Sequence, residues 1–191
     1  MLQLDRIVNY IFDSITWLFS VTESNRVWLV DCGDIAPIVE KIKGKTVEGV
    51  LLTHAHFDHI FGLNELLVHF PDCKVYTNVF GREALANAKL NMSFYQERPM
   101  TFNSPNIIVC EEGETITLFS GISAKVYETP GHHPSCLTYM VGDYLFTGDS
   151  YIPGVKVVTN LPKGDKIKAE NSLSRIQLLA EGKRVFPGHQ I

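Results

Sequence analysis

One stretch of the chain constrains the fold most: an apolar strand that runs directly into a histidine-rich loop and then into a helix. Residues 47–52 are apolar apart from Glu48, and Thr53 is followed at once by His-Ala-His-Phe-Asp-His. From residue 58 to residue 70, large apolar side chains recur with the 3.6-residue period of an amphipathic helix: Ile60, Leu63, Leu66, Leu67 and Phe70. The sequence therefore predicts a strand-loop-helix unit with three imidazoles and a carboxylate on its loop.

The rest of the chain alternates between strand and helix patterns. Short runs rich in Ile, Val, Phe and Trp, separated by turn residues, predict strands, and 3.6-residue periods predict helices. The predicted strands are 7–12, 15–21 and 26–30 in an antiparallel meander, then 74–77, 107–110, 115–119, 122–128, 137–141 and 143–147; the predicted helices are 35–43, 79–88 and 166–181. The last helix is expected to bury Ile167, Leu173, Ile176 and Ala180. Residues 89–106 have no periodicity, and a loop of that length in a compact domain is usually functional or mobile.

Length and composition bound the class of protein. With 191 residues and 45% hydrophobic residues, one core is expected, and residues 1–191 are interpreted as a single domain. The formal net charge is −4 without a basic block, which disfavours a nucleic-acid partner. The apolar N-terminus is interrupted by Asp5 and Asp13 and is expected to be neither a signal peptide nor a membrane span. Four cysteines without CxxC spacing favour reduced thiols and a cytoplasmic protein. The oligomeric state stays open.

The histidine-rich loop indicates metal chemistry. Imidazole is the commonest protein ligand for zinc and iron, and carboxylates hold divalent cations. In an extended loop His54 and His56 point the same way and can share one ion, whereas Asp58 and His59 can turn toward a second. The alternative is a solvated loop that happens to be rich in histidine. A metal site is favoured, because imidazoles buried beside a carboxylate without a cation would leave polar groups unsatisfied.

Five short motifs, in order along the chain, resemble those of the metallo-β-lactamase superfamily. The sequence HAHFDH at residues 54–59 is similar to the H-x-H-x-D-H signature of that family. The other four are LVDCG at 29–33, TPGH at 129–132, FTGD at 146–149 and FPGH at 186–189. The resemblance implies an α+β fold, a four-layer αββα sandwich. One segment departs from the family pattern: GHHPSC at 131–136 replaces G-H-T-x-G-[SH], which is expected to alter the shape of the pocket.

The resemblance also implies a role for each site residue. Two divalent metal ions are expected, with zinc as the first choice and iron or manganese as alternatives. They would share a bridging hydroxide as the nucleophile, which the catalytic carboxylate of Asp58 would position. Asp31 is expected to orient a histidine, and His133 to line the pocket or lie at the surface. The ligands implied are His54, His56 and His132 for the first ion, Asp58, His59 and His189 for the second, and Asp149 as the bridge.

The aspartate bridge, together with His59, is typical of the glyoxalase II-like and lactonase-like branches, which makes antibiotic hydrolysis the weaker interpretation. The leading hypothesis is a glyoxalase II-like hydrolase of a small-molecule thioester. A lactonase or general esterase would use the same dinuclear site. A persulfide dioxygenase would use one iron held by two histidines and an aspartate, and the presence of both His59 and His189 argues against it. A non-enzymatic scaffold is disfavoured, because no ligand is lost.

Overall fold

The computed structural model describes residues 2–190 and contains two β-sheets. The first sheet has six strands in sequence order: β1 (Leu2–Val8), β2 (Ile15–Val21), β3 (Arg26–Val30), β4 (Thr46–Leu51), β5 (Lys74–Thr77) and β6 (Ile107–Val109). β2 runs antiparallel to both β1 and β3. From β3 to β6, neighbouring strands run parallel. The predicted meander at the start of the chain is therefore confirmed.

The second sheet has five strands. They are β7 (Thr115–Phe119), β8 (Ile122–Glu128), β9 (Leu137–Val141), β10 (Tyr144–Gly148) and β11 (Arg184–Pro187), arranged in the order β11-β10-β9-β8-β7. Neighbouring strands run antiparallel, except that β11 pairs in parallel with β10. The hairpin between β9 and β10 turns at Gly142, whose φ of 58° suits glycine.

Helices cover the outer faces of both sheets. They are α1 (Ile35–Ile42), α2 (Phe57–Ile60), α3 (Leu63–His69), α4 (Val79–Leu85) and α5 (Lys166–Leu179). Alternate residues of β3 belong to two different cores, as expected for a strand with both faces covered. Val27 and Leu29 pack with the apolar residues of α1, α3 and α4, whereas Trp28 and Val30 pack with the second sheet. The fold is thus a four-layer αββα sandwich of the α+β class.

The first predicted strand is wrong in its bounds, because β1 is Leu2–Val8 and not residues 7–12. Residues 10–13 form a turn in which Phe12 and Asp13 both have φ of 53°, a left-handed conformation that interrupts a strand.

Two short helices, α2 and α3, replace the single helix predicted at 58–70. The helix is interrupted because backbone groups at the break form hydrogen bonds with Cys32. The Cys32 N–H donates to the carbonyl of His59, and the Gly62 N–H donates to the carbonyl of Cys32. A Cβ at Gly62 would lie 1.9 Å from the carbonyl oxygen of Gly33, so only glycine allows this close approach.

One prediction for the last helix is also wrong. Of the four residues expected to be buried, only Ile176 is; Leu173 and Ala180 are half-buried, and Ile167 is 73% exposed. The face that α5 buries consists of Ala169, Ser172 and Ile176. Among residues 2–190, no helix is long and apolar enough to cross a membrane.

Candidate metal centre

Metal-binding side chains gather where strands of both sheets end. The loop after β4 carries two histidines and leads into α2, while β8, β10 and β11 each end within a few residues of one further donor. The seven side chains that the sequence singled out all belong to this cluster: His54, His56, Asp58, His59, His132, Asp149 and His189. Strand ends suit such a site, because the sheets fix the point at which each loop begins.

Three imidazoles form what we call the first site: His54, His56 and His132. One ring nitrogen of each lies within 4.8 Å of the others, and all three residues are buried. The Nε2 of His132 is 2.9 Å from the Nδ1 of His56, and the Nε2 of His54 is buried without a hydrogen-bond partner. Two ring nitrogens that face each other need a proton or a cation between them. The geometry and the unpartnered nitrogen both fit a metal ion.

A carboxylate and two imidazoles form the second site: Asp58, His59 and His189. The Nε2 atoms of His59 and His189 are 3.2 Å apart. The Oδ2 of Asp58 is 3.3 Å from each of them. This site is more open than the first, because the side chain of His189 is 21% exposed.

Asp149 lies between the two sites. Its Oδ2 is 3.5 Å from the Nε2 of His132 in the first site and 3.3 Å from the Nε2 of His189 in the second. Its Oδ1 is 3.5 Å from the Nε2 of His59 and has no hydrogen-bond partner among residues 2–190. A Cβ at Gly188 would lie 2.5 Å from this Oδ1, so glycine leaves the room that the carboxylate occupies. The position suits a carboxylate that bridges two cations.

The two sites differ in their electrostatics. Burial, reinforced by the neighbouring imidazoles, lowers the pKa values of His54 and His56 well below their ordinary range. In the second site, burial also lowers the pKa of His189, but hydrogen bonds to Asp149 and Asp58 outweigh it and raise the pKa to about 10. Without metal, His54 and His56 are neutral at pH 7, whereas His59 and His189 are protonated.

A short relay of hydrogen bonds fixes one imidazole of each site. The Oδ2 of Asp31 accepts a hydrogen bond from the Nδ1 of His59 at 2.9 Å and another from the Thr53 hydroxyl at 2.7 Å. That hydroxyl donates to Asp31 and therefore accepts from the Nδ1 of His54, 3.2 Å away. Nδ1 is therefore the donor on both rings, and each imidazole directs its Nε2 toward the donor cluster. Asp31 orients a histidine, as the sequence predicted.

Backbone carbonyls orient two further imidazoles. The Nδ1 of His132 donates to the carbonyl of Val158 at 2.8 Å, and the Nδ1 of His189 donates to the carbonyl of Phe12 at 2.9 Å. Nothing in the sequence marks these carbonyls, because every residue carries one. Ser14 was also missed: its hydroxyl donates to the backbone carbonyl of Asp58 at 2.6 Å.

His133 is fully buried, so the expectation of a possible surface position is wrong. Its ring lies 4.5 Å from the ring of His56, centroid to centroid, and its Nδ1 accepts from the Ser135 hydroxyl at 2.6 Å. The same Ser135 oxygen accepts from the Ala55 N–H at 2.9 Å. Burial and the nearby His132 lower the pKa of His133 to about 4. His133 therefore packs behind the first site as a neutral imidazole and braces the loop that carries His54 and His56.

Comparison with known proteins adds to this geometry. The hydroxyacylglutathione hydrolase of Shewanella halifaxensis (strain HAW-EB4) is 29% identical over 181 residues, covering 93% of this chain and 62% of that protein. The chain therefore spans less than two thirds of the length of this relative. Among solved structures, the BLEG-1 B3 metallo-beta-lactamase superposes with a TM-score of 0.90 at 26% identity, covering 99% of this chain and 92% of that one.

A second solved structure, TTHA1623 in a di-iron-bound form, superposes with a TM-score of 0.82 at 26% identity, covering 98% of this chain and 92% of that one. The sequence model of the Metallo-beta-lactamase superfamily matches residues 16–189, which include all seven side chains of the cluster. This match spans nearly the whole chain and agrees with the sandwich fold. The chain belongs to the metallo-β-lactamase superfamily.

Proposed function

We propose that this chain is a hydrolase with two metal ions and that its substrate is a small thioester. The observation that carries the proposal is the convergence of five imidazoles and two carboxylates in one cluster, which is partly exposed at His189. The ligands proposed are His54, His56 and His132 for the first ion, Asp58, His59 and His189 for the second, and Asp149 as the bridge. Zinc is the proposed metal, and iron is the alternative that the di-iron form of TTHA1623 supports.

When bound, the two ions would supply Lewis acidity that lowers the pKa of a water molecule toward neutrality and polarises the carbonyl of the substrate. In the overall reaction, water adds to the carbonyl carbon and the C–S bond breaks, giving a carboxylate, a thiol and a proton. The role of the protein is to fix these groups before the reaction begins, which accounts for the hydrogen-bonded imidazoles.

Asp58 is the proposed catalytic carboxylate. Burial alone would raise its pKa, but His59 and His189 outweigh that effect and hold the pKa well below the usual range. Asp58 therefore stays ionised throughout the neutral range and can accept a hydrogen bond from the attacking water. Its side chain is 12% exposed, on the same open side as His189, and the substrate would approach from there.

The thioester is supported by the hydroxyacylglutathione hydrolases among the relatives. A lactone or simple ester would require the same metals and the same nucleophile. A β-lactam is a second candidate, because the chain covers 92% of the BLEG-1 B3 metallo-beta-lactamase but only 62% of the Shewanella hydrolase. All four cysteines are buried free thiols, which supports the proposal of a reducing, cytoplasmic location.

The test begins with elemental analysis of the purified protein after loading with zinc or iron. Hydrolysis rates are then measured for S-lactoylglutathione, a simple lactone and a chromogenic β-lactam. We expect about two ions per chain and fastest cleavage of the thioester. One iron per chain without hydrolysis would refute the proposal and favour the oxygen-using persulfide dioxygenase. Faster cleavage of the β-lactam than of the thioester would favour a β-lactam as the substrate.

A matched pair of variants separates the metal cluster from general damage to the protein. Asp149→Asn removes a charge from the bridge, and we expect it to lose metal together with activity. Asp72→Asn makes the same chemical change at an exposed position that lines the opposite groove of the first sheet, near Val47 and Lys74. Asp72→Asn should keep both properties. Equal activity in the two variants would contradict the assigned bridge.

A further inference from the structure

A cleft of about 530 Å³ lies beside the second site and has no role in holding metal. One wall is the turn at residues 10–12 together with Phe57, and the other wall is residues 96–98. Two of the residues that line the cleft are connected to the metal cluster. The carbonyl of Phe12 accepts the hydrogen bond of His189, and Phe57 lies in the chain between His56 and Asp58. A volume of this size is in the range of small-molecule sites.

The first wall presents aromatic rings to solvent. Tyr10 is 75% exposed and Phe12 is 65% exposed, and Tyr10 packs edge-on against Phe61 with ring centroids 5.3 Å apart. Packing of the core does not account for rings that are this exposed. Contiguous exposed apolar groups mark binding surfaces more often than isolated ones do.

The backbone that carries these rings is strained. Phe12 and Asp13 are consecutive non-glycine residues with φ of 53°. The left-handed region is unfavourable for a bulky side chain, and glycine would adopt it freely. The turn is held nevertheless, by the Asn9 N–H donating to the carbonyl of Ser14 and by the contact between Phe12 and His189. A large ring kept in water on a strained backbone, next to the metal cluster, points to a function of the ring itself.

Charge does not select the ligand of this cleft. The opposite wall carries one anion, Glu97, and one cation, Arg98, and both are exposed. Their charges offset each other, so the apolar surface is the feature that would discriminate between ligands. A flat, apolar group that stacks on Phe12 and Phe57 fits this wall better than a short or charged group.

We propose that this cleft binds the acyl group of the substrate and that it favours an aromatic acyl group over a short one. The inference rests on the proposed hydrolase function and names the class of thioester. The enzyme would then cleave arylacyl thioesters with higher kcat/KM than acetyl thioesters of the same thiol. The open side of the second site would direct the carbonyl carbon toward Asp58, with the aromatic ring held in the cleft.

The experiment compares phenylacetyl and acetyl thioesters of N-acetylcysteamine, which differ only in the acyl group. We expect Phe12→Gly in the zinc-loaded protein to lower the ratio of kcat/KM for the phenylacetyl over the acetyl substrate by about five- to tenfold. Glycine is suited to the φ at this position, so the variant should fold. The matched control is Asp13→Gly, which relieves the same kind of strain without removing a ring, and its ratio should stay within about twofold of wild type.

Equilibrium binding of phenylacetate and acetate to the same proteins, followed by NMR, tests the cleft without any turnover. Wild type should bind phenylacetate about tenfold more tightly than acetate, and Phe12→Gly should lose most of that difference. Equal binding of the two acids by wild type, or an unchanged difference in Phe12→Gly, would overturn the cleft proposal. Failure to cleave either thioester, with the binding preference intact, would instead overturn the proposed function alone.

Discussion

Asp31→Asn should weaken metal binding although Asp31 is not expected to contact a metal. The carboxylate is 1% exposed and accepts three hydrogen bonds: from the N–H of Thr53 on Oδ1, and from the Thr53 hydroxyl and the His59 ring on Oδ2. An asparagine of the same shape has only one oxygen. Whichever way its amide turns, an NH₂ group faces a donor that was previously satisfied.

The magnitude follows from the lost contacts. A hydrogen bond to a charged group contributes about 1.5–3 kcal/mol, so losing the contact between Asp31 and His59 should weaken the second site about 10- to 100-fold. The first site depends on Asp31 only through the Thr53 hydroxyl and His54. That relay is a neutral hydrogen bond of about 1 kcal/mol, and its loss should weaken the first site about fivefold.

Competition titration of zinc against a chromogenic chelator measures both affinities. The control is Thr53→Val, which removes the hydroxyl relay but keeps the contact between Asp31 and His59; it should weaken the first site and spare the second. Circular dichroism of the metal-free proteins checks that both variants fold. Wild-type affinity at both sites in Asp31→Asn, or a greater loss at the second site in Thr53→Val, would refute this reasoning.

Three further outcomes are expected. Gly188→Ala places a methyl group 2.5 Å from the Oδ1 of Asp149 and should lower metal content measured by elemental analysis, whereas normal content would show that the carboxylate can move. Because the pKa of His189 is raised to about 10 and the pKa of His59 is raised well above its ordinary range in the metal-free protein, binding at the second site must release protons at pH 7 and strengthen as pH rises toward 10. Metal binding to His54 and His56, whose pKa values are lowered, should release none from those two rings; calorimetry in buffers of different ionisation enthalpy detects the difference. Ser135→Ala leaves the buried Ala55 N–H without this partner and leaves the Nδ1 of His133 with only a 3.4 Å contact to the backbone N–H of residue 135. It should lower the free energy of unfolding by about 2 kcal/mol in urea titrations, whereas Ser174→Ala on an exposed face of α5 should not.

The strands could be predicted closely where turn residues bound an apolar run. The bounds of β2, β3 and β5 agree with the prediction, because each run is a buried strand with polar residues at its ends. The break between α2 and α3 could not be predicted. The apolar period continues across it, and the cause is the backbone of Cys32, which lies about thirty residues earlier in the chain. Long-range backbone contacts of this kind leave no local pattern in the sequence.

The cluster itself could be predicted because its donors are rare residue types in short motifs at the ends of strands. Most of the groups that orient them could not. The partner of His189 is a backbone carbonyl 177 residues away. Asp31 was predicted to orient a histidine, but the sequence did not indicate that this histidine would be His59, 28 residues away. These distant groups come within hydrogen-bond distance of the histidines only after the two sheets have formed. The local sequence therefore identifies the donors, whereas the fold determines which groups form hydrogen bonds with them and so which ring nitrogen is protonated.

The turn at residues 10–13 contributes both to the proposed acyl cleft and to the orientation of a metal-binding histidine. Its side chain at Phe12 faces the proposed acyl cleft, and its carbonyl at the same residue holds the ring of His189. A change of side chain alters the cleft and keeps the carbonyl, whereas a change in the length of the turn displaces both. Substitutions at Phe12 should therefore shift the choice of substrate with little loss of metal. A deletion in the turn should mainly release metal from the second site. Which property each change affects more, substrate choice or metal content, distinguishes the role of the Phe12 side chain in the cleft from the role of its carbonyl in orienting His189.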